Sequence, residues 1–432
     1  MPRPTTVSLT PVAAGVLLVA GLALGGIVGV LWAPSGGEAA TAVAEVEAPE
    51  PPTDRARPTE PAADRTGTVA DGQPPGEADL DEAAEAPGPP PTPPPHPGPP
   101  SAERRLEQAT TIGGDIAPKS VVVSPTGVAF AQNMMYRHTV TAYDRDYELL
   151  ATIPDTVRPT DFGLPGPDAE LRGSPVEAAF SPDGTHGYVS NYRMHGPGFE
   201  RGGGDVCSPS DDYDDSLVYR IDVERLEIDA LLPVGAVPKY LAVTPDGATL
   251  LVTNWCSYDL SVIDTATGEE RARLPIGPYP RGIAVTSDAA KAYVAVMGGS
   301  EIVAVDLDDL STRTLTGIGR GPRHLVLGPD DRDLYATLNH EGVVARLDLE
   351  TGEVARVATG EAPRSMALAA DGGALYVVNY HSDTVSKVAT ADMTVAQTLE
   401  VAEKPIGISY DPATAEVWVA HYSGVLTVLA DR

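Results

Sequence analysis

The chain has 432 residues, a formal net charge of −31 and 42% hydrophobic residues. That apolar content suffices for a sizeable core, and the acidic balance argues against nucleic acid as a bulk partner. The apolar residues are unevenly spread, so the chain divides by composition.

Residues 1–10 carry one charged side chain, Arg3, and Pro11 to Ala33 form an almost unbroken apolar run of 23 residues. Such a run is long enough to span a bilayer and exceeds the roughly 7–15 apolar residues of a signal peptide. It reads as a single-pass anchor, with Ala42-Val43-Ala44 as the cleavage site under the alternative reading of a removed signal. Arg3 before the run and Glu38, Glu45 and Glu47 after it put the N-terminus in the cytoplasm and the rest outside the cell membrane. Residues 34–105 are rich in Pro, Ala and Glu and nearly devoid of large apolar side chains, so they read as a disordered linker. Its Pro87–Pro100 stretch favours extended polyproline II, the geometry of a spacer.

From residue 106 to 432 the chain repeats. Pro118, Pro175, Pro238, Pro280, Pro322, Pro363 and Pro405 recur at one point of the unit, the last five spaced by 42, 42, 41 and 42 residues. A period of about 40–45 residues is that of a four-stranded propeller blade. Each unit opens with Gly-x-x-Pro and an apolar strand A, as in Gly235 to Val243, then turns at Ser181-Pro182-Asp183-Gly184 or Thr244-Pro245-Asp246-Gly247. Strand B ends on Asn191, Asn254 or Asn379; strand C runs to an Asp, as in Leu260 to Asp264; a Thr-Gly-Glu turn at Thr267 or Thr351 leads to strand D. The seventh unit stops at Arg432 without a strand D, and Leu106 to Ile112 matches the missing one. The predicted fold is therefore all-β: a seven-bladed β-propeller of four-stranded antiparallel blades, closed by an N-terminal strand in the last blade. A closed ring without open edges reads as a monomer.

Tyr188-Val189-Ser190-Asn191, Tyr376-Val377-Val378-Asn379 and the Ser/Thr-Pro-Asp-Gly turns resemble the YVTN-type β-propeller repeat family over residues 106–432. The fourth and fifth units depart from the motif at Ala295-Val296 and Thr337-Leu338. The resemblance implies an extracytoplasmic propeller, with D–A connections and B–C loops on one face at the mouth of a central channel. It also implies an alternative function, a lactonase-type hydrolase or a metal or tetrapyrrole carrier.

On that face, the residues after the seven prolines are Lys119, Val176, Lys239, Arg281, Arg323, Arg364 and Ile406. Five cations stand there in a repeat region holding 47 acidic and 24 basic residues. A cationic ring in a funnel concentrates anions, which makes a small anionic ligand or a cell-envelope component the expected partner. The competing reading is that the cations pair with blade carboxylates. His340, His381 and His421, the strand-end Asn191, Asn254 and Asn379, and the aromatic Trp255 and Tyr380 complete the expected ligand-binding set.

No catalytic residue or cofactor is read from the sequence: GxSxG, P-loop, HExxH and dinucleotide motifs are missing. Glu177, His340, Glu341 and Arg364 could serve a lactonase, but no spacing selects them. His with Met134, Met135, Met194 and Met297 would suit copper, and Asp211-Asp212-Tyr213-Asp214-Asp215 would suit calcium, yet neither shows ligand spacing. Cys207 and Cys256, the only cysteines, lie in B–C loops of neighbouring units and are expected to form a disulfide in an oxidising compartment.

Overall fold

The third repeat shows why these residues make a blade. Its strands, Pro238–Val243, Thr249–Asn254, Asp259–Asp264 and Glu270–Pro275, form one antiparallel sheet in sequence order. The first reversal is made by Thr244-Pro245-Asp246-Gly247, where the Gly247 amide donates to the Thr244 carbonyl at 2.8 Å and Gly247 takes φ 75°. Burial is complete along the second strand and falls away along the outermost.

The computed structural model describes residues 98–166 and 168–432. It contains seven four-stranded antiparallel sheets, the architecture of a seven-bladed β-propeller. The expected cytoplasmic N-terminus 1–10, the membrane anchor 11–33 and most of the linker lie outside the described residues. Among the described residues no helix is long and apolar enough to cross a membrane.

Seven apolar clusters occupy the seven junctions between neighbouring sheets. Between the third and fourth blades, for example, Leu251, Leu260 and Val262 meet Ile283, Val294 and Val303. Complete burial of one such side chain stabilises by about 1.5–3 kcal/mol. A blade thus finds its core only against its neighbours.

The ring is closed as the sequence predicts. Leu106–Ile112 pairs antiparallel with Val425–Asp431, the third strand of the last blade. Ser101, within the segment read as linker, is fully buried and donates through its amide and hydroxyl to Asp371. Inside the seam, the Lys387 ammonium meets the Asp431 carboxylate with both side chains fully buried. Tyr376 donates its hydroxyl to the same carboxylate at 2.6 Å, and Lys387 also donates to the Arg104 carbonyl at 2.8 Å. Arg145 to the buried Asp411, at 2.7 Å, ties the first blade to the last.

The insertion 154–172 forms a short hairpin, Thr156–Val157 with Leu171–Arg172. Its Val157 and Leu171, with Phe162 and Leu164, pack on Leu217, Tyr219 and Leu231 of the second blade's outer strands, away from the inner strands.

Because a buried ion pair stripped of one partner leaves an uncompensated charge, Asp431→Ala should cost about 3–5 kcal/mol. The double variant Lys387→Met/Asp431→Leu should recover most of that loss. Urea denaturation of the three proteins measures both effects.

Candidate anion site in the channel

The repeated proline sets up the site through a backbone irregularity. Pro238 pairs with Asn254, but the next pair is Tyr240 with Thr253, so Lys239 is an extra residue bulged out of the ladder. The same shift follows Pro175, Pro280, Pro322, Pro363 and Pro405. A bulge re-aims side chains, here turning the residue after the proline toward the channel. The glycine three residues earlier is needed for space: a Cβ on Gly235 would stand 2.8 Å from the Asn254 Cγ.

The five cations therefore converge. Lys119, Lys239, Arg281 and Arg323 come from four different blades, are only 4–7% exposed, and act electrostatically on one another. Burial, then Arg281, pushes the Lys119 ammonium well below its usual range, and burial, then Arg281 and Arg364, does the same to Arg323. Lys239 is pushed down to about 7 by burial and Arg281, against the pull of Asp205. Among the described residues, neither the Lys119 ammonium nor the Arg281 guanidinium has a hydrogen bond or an ion pair within 4.0 Å. Arg323 donates to the Arg364 carbonyl, and Arg364 lies 3.7 Å over the Tyr380 ring with its Nε unpaired. The cations form a buried neck where the repeat pattern suggested an open rim.

Two carboxylates oppose them. Glu177, 8% exposed, acts on Lys119, Arg281 and Arg323, and its carboxylate has no hydrogen bond among the described residues. Asp205 reaches Lys239 at 3.4 Å from the rim, with its side chain 83% exposed. Lys239 also sits over the rings of Tyr192 and Trp255, at 4.2 and 5.2 Å.

Asp205 is held by the long loop of the second blade. Its carbonyl accepts from Trp255 Nε1 at 3.1 Å, and two residues on, Cys207 is disulfide-bonded to Cys256 with a Cα–Cα distance of 5.4 Å. Tyr258 donates its hydroxyl to the Cys207 carbonyl at 2.6 Å. The acidic run is consumed locally: Asp211 accepts from the Ser208 amide, Asp212 pairs with Arg201, Asp214 accepts from the Arg201 amide, and Asp215 pairs with Arg273.

The remaining expected site residues scatter. Asn191, Asn254 and Asn379 are fully buried and spend their carboxamide N–H groups inside the blades, on the Leu217 carbonyl, on Asp259 and Ser261, and on Thr384 and Ser386. Their N–H groups thus tie the end of the second strand to the third, and their Oδ1 atoms are buried without a partner among the described residues. His421 is fully buried with Nδ1 against the Ala402 carbonyl, at 2.8 Å, whereas His381 is exposed beside Tyr380. His340 lines a separate groove of about 550 Å³ with Trp255, Tyr279, Met297 and Arg320. Glu341 pairs with Arg320 at 3.7 Å, apart from Glu177. No group of three or more His, Cys, Asp or Glu suited to holding a metal occurs among the described residues.

One layer below the cations, the second residues after the prolines include Glu177, Tyr240, His324 and Ser365. Tyr240 Oη and His324 Nε2 are 3.0 Å apart, and His324 Nδ1 is buried without a partner. Burial, then Arg323, Arg281 and Lys119, pushes the His324 imidazole down to about 3. These residues line a cavity of about 570 Å³ on the side of the A–B turns. Gly282 stands in the same layer, where a Cβ would come 2.7 Å from the His324 Cα, so the fourth and fifth inner strands nearly touch. The tyrosine, histidine and serine of this layer were legible only by reading one residue further along each repeat.

No known family's sequence profile matches the chain, and no curated protein matches it. The fold is similar to a chain of Kuenenia stuttgartiensis hydrazine synthase, at TM-score 0.57 and 18% identity, over 74% of this chain and 98% of that one. At that identity the likeness speaks for the propeller fold alone.

Two buried histidines set the response to acid. His421 is pushed down to about 4 by burial, and His324 lies lower, so each native ring refuses a proton that the unfolded chain takes up near pH 6.5. Their contribution is complete above about pH 6.5 and is lost as the pH falls toward 4, by up to about 3 kcal/mol for His421. Denaturation at pH 7 and pH 4.5 should show that loss, and His421→Gln should shrink it. The disulfide closes a loop of 49 residues, so its reduction should cost up to about 4 kcal/mol in the same denaturation assay.

Proposed function

We propose that this protein is a YVTN-type propeller that binds an anionic ligand at the buried cations of its channel, carried as a monomer on the outer side of the cell membrane by residues 11–33. The observation that carries the reading is electrostatic. Lys119, Lys239, Arg281 and Arg323 are brought together with only 4–7% exposure, and among the described residues Glu177 and Asp205 are the carboxylates that oppose them. Buried like charges without full pairing destabilise a fold, and an arriving anion relieves that cost. Structural ion pairs between blades occur elsewhere, as at Lys387–Asp431 and Arg145–Asp411, and there each cation has its own carboxylate. The rival readings, a lactonase-type hydrolase or a metal or tetrapyrrole carrier, gain no support from the scattered His340, His381 and His421.

The ligand's anionic group would accept from the guanidinium forks of Arg281 and Arg323 and the Lys119 and Lys239 ammonium groups. A bond to a charged donor contributes about 1.5–3 kcal/mol. The variant Lys239→Gln/Arg281→Gln/Arg323→Gln should therefore bind sulfate or citrate at least about 100-fold more weakly at low ionic strength. It should also melt higher than the parent without ligand. Unchanged anion binding by a folded variant, or a lower melting temperature without ligand, would overturn the proposal.

Lys239 adds a pH signature. It faces Arg281, Arg323 and Asp205 and is pushed down to about 7, so an anion must restore its proton above that pH. Calorimetric affinity should fall as the pH rises through about 7, with proton uptake on binding, and Lys239→Arg should shrink the dependence, leaving the part that Lys119 contributes.

A further inference from the structure

Three unspent polar groups lie directly beneath the cations, and they bear on what else the ligand carries. The Glu177 carboxylate makes no hydrogen bond among the described residues, the His324 Nδ1 is buried and unpaired, and the Ser365 hydroxyl, 8% exposed, makes none either. All three line the 570 Å³ cavity, with Tyr240 and Tyr410 among its walls. That volume lies within the roughly 300–1,000 Å³ range of small-molecule sites. No lysine or arginine lines it, so its chemistry differs from that of the neck above.

Building on the anion reading, we propose that the ligand is a hydroxylated carboxylate of the sugar-acid class. Its carboxylate sits at Lys119, Arg281 and Arg323, and its hydroxyls at Glu177, His324 and Ser365. The chemistry of the three groups selects hydroxyls. A carboxylate offers acceptors only, a neutral imidazole nitrogen offers a donor or an acceptor according to tautomer, and a serine hydroxyl offers both. A ligand hydroxyl satisfies each of these, whereas an ammonium satisfies only the acceptors. Glu177 also stands in the field of three cations, so a second positive charge beside it gains little. Leaving a buried polar group unpaired costs about 1–3 kcal/mol, and a bare anion such as sulfate leaves the His324 Nδ1 so, with Glu177 and Ser365 unspent beside it. Tyr240 and Tyr410 add aromatic surface to the cavity wall, which suits the apolar side of a sugar.

Binding of galacturonate, acetate, sulfate and galactose by the full chain and by Glu177→Gln and Ser365→Ala separates the possibilities. Galacturonate should bind the parent at least about tenfold more tightly than acetate, and galactose should bind far more weakly than galacturonate. Glu177→Gln should weaken galacturonate by about tenfold while sulfate and acetate bind as well as before or better. Ser365→Ala, a smaller change to the cavity, should weaken galacturonate alone. Equal binding of acetate and galacturonate, or a Glu177→Gln effect shared by all anions, would overturn the sugar-acid assignment and leave the anion site standing. No binding of any anion would overturn both.

Discussion

Every blade of this protein depends on the next for its core. A four-stranded sheet has two apolar faces and cannot bury either alone. The seven clusters lie between blades, not within them. The ring must therefore close, and the seam where first and last strands meet carries the heaviest polar reinforcement: the Lys387–Asp431 pair, the Tyr376 hydroxyl and the Arg145–Asp411 pair. Closure also fixes a central channel onto which all seven innermost strands abut.

What faces that channel is decided, in six of the seven blades, by the bulge after the repeated proline. Without it, alternate residues of the inner strand would turn into the blade. With it, two consecutive residues reach the axis, and the channel acquires two layers of different chemistry. The upper layer is cationic and poorly paired; the lower holds Glu177, Tyr240, His324 and Ser365. The disulfide-bonded loop of the second blade adds Asp205 and the Tyr192 ring against Lys239. Such a concentration of under-paired charge is costly to a fold, and it is the feature on which the proposed anion site rests.

Much of this was legible in the residues, and the reason is repetition. Seven copies of Gly-x-x-Pro average out the noise that makes a single strand hard to read, so blade number, strand order and the closing strand followed from spacing. The cationic ring was legible too, since aligning the repeats aligns the position after the proline. The strand-end asparagines recur beside the B–C loops, yet their carboxamide N–H groups are spent within the blade, Asn254 on Asp259 and Ser261 and Asn379 on Thr384 and Ser386. His340 and His381 hold the same place in B–C loops of four residues, yet one lines the groove beside Trp255 and the other is exposed beside Tyr380, whereas His421 ends a strand at the position of Asn379.

By itself, then, the sequence determined the fold, the closing strand, the pairing of Cys207 with Cys256 and the identity of the cations, because each is a matter of period or of elimination. Only the tertiary structure decided that the cations are buried in a neck and not spread around a rim, and that Glu177, Tyr240, His324 and Ser365 join them. Residues from separate blades share a site only through the ring's axis. The distances that axis imposes are not written in any one repeat.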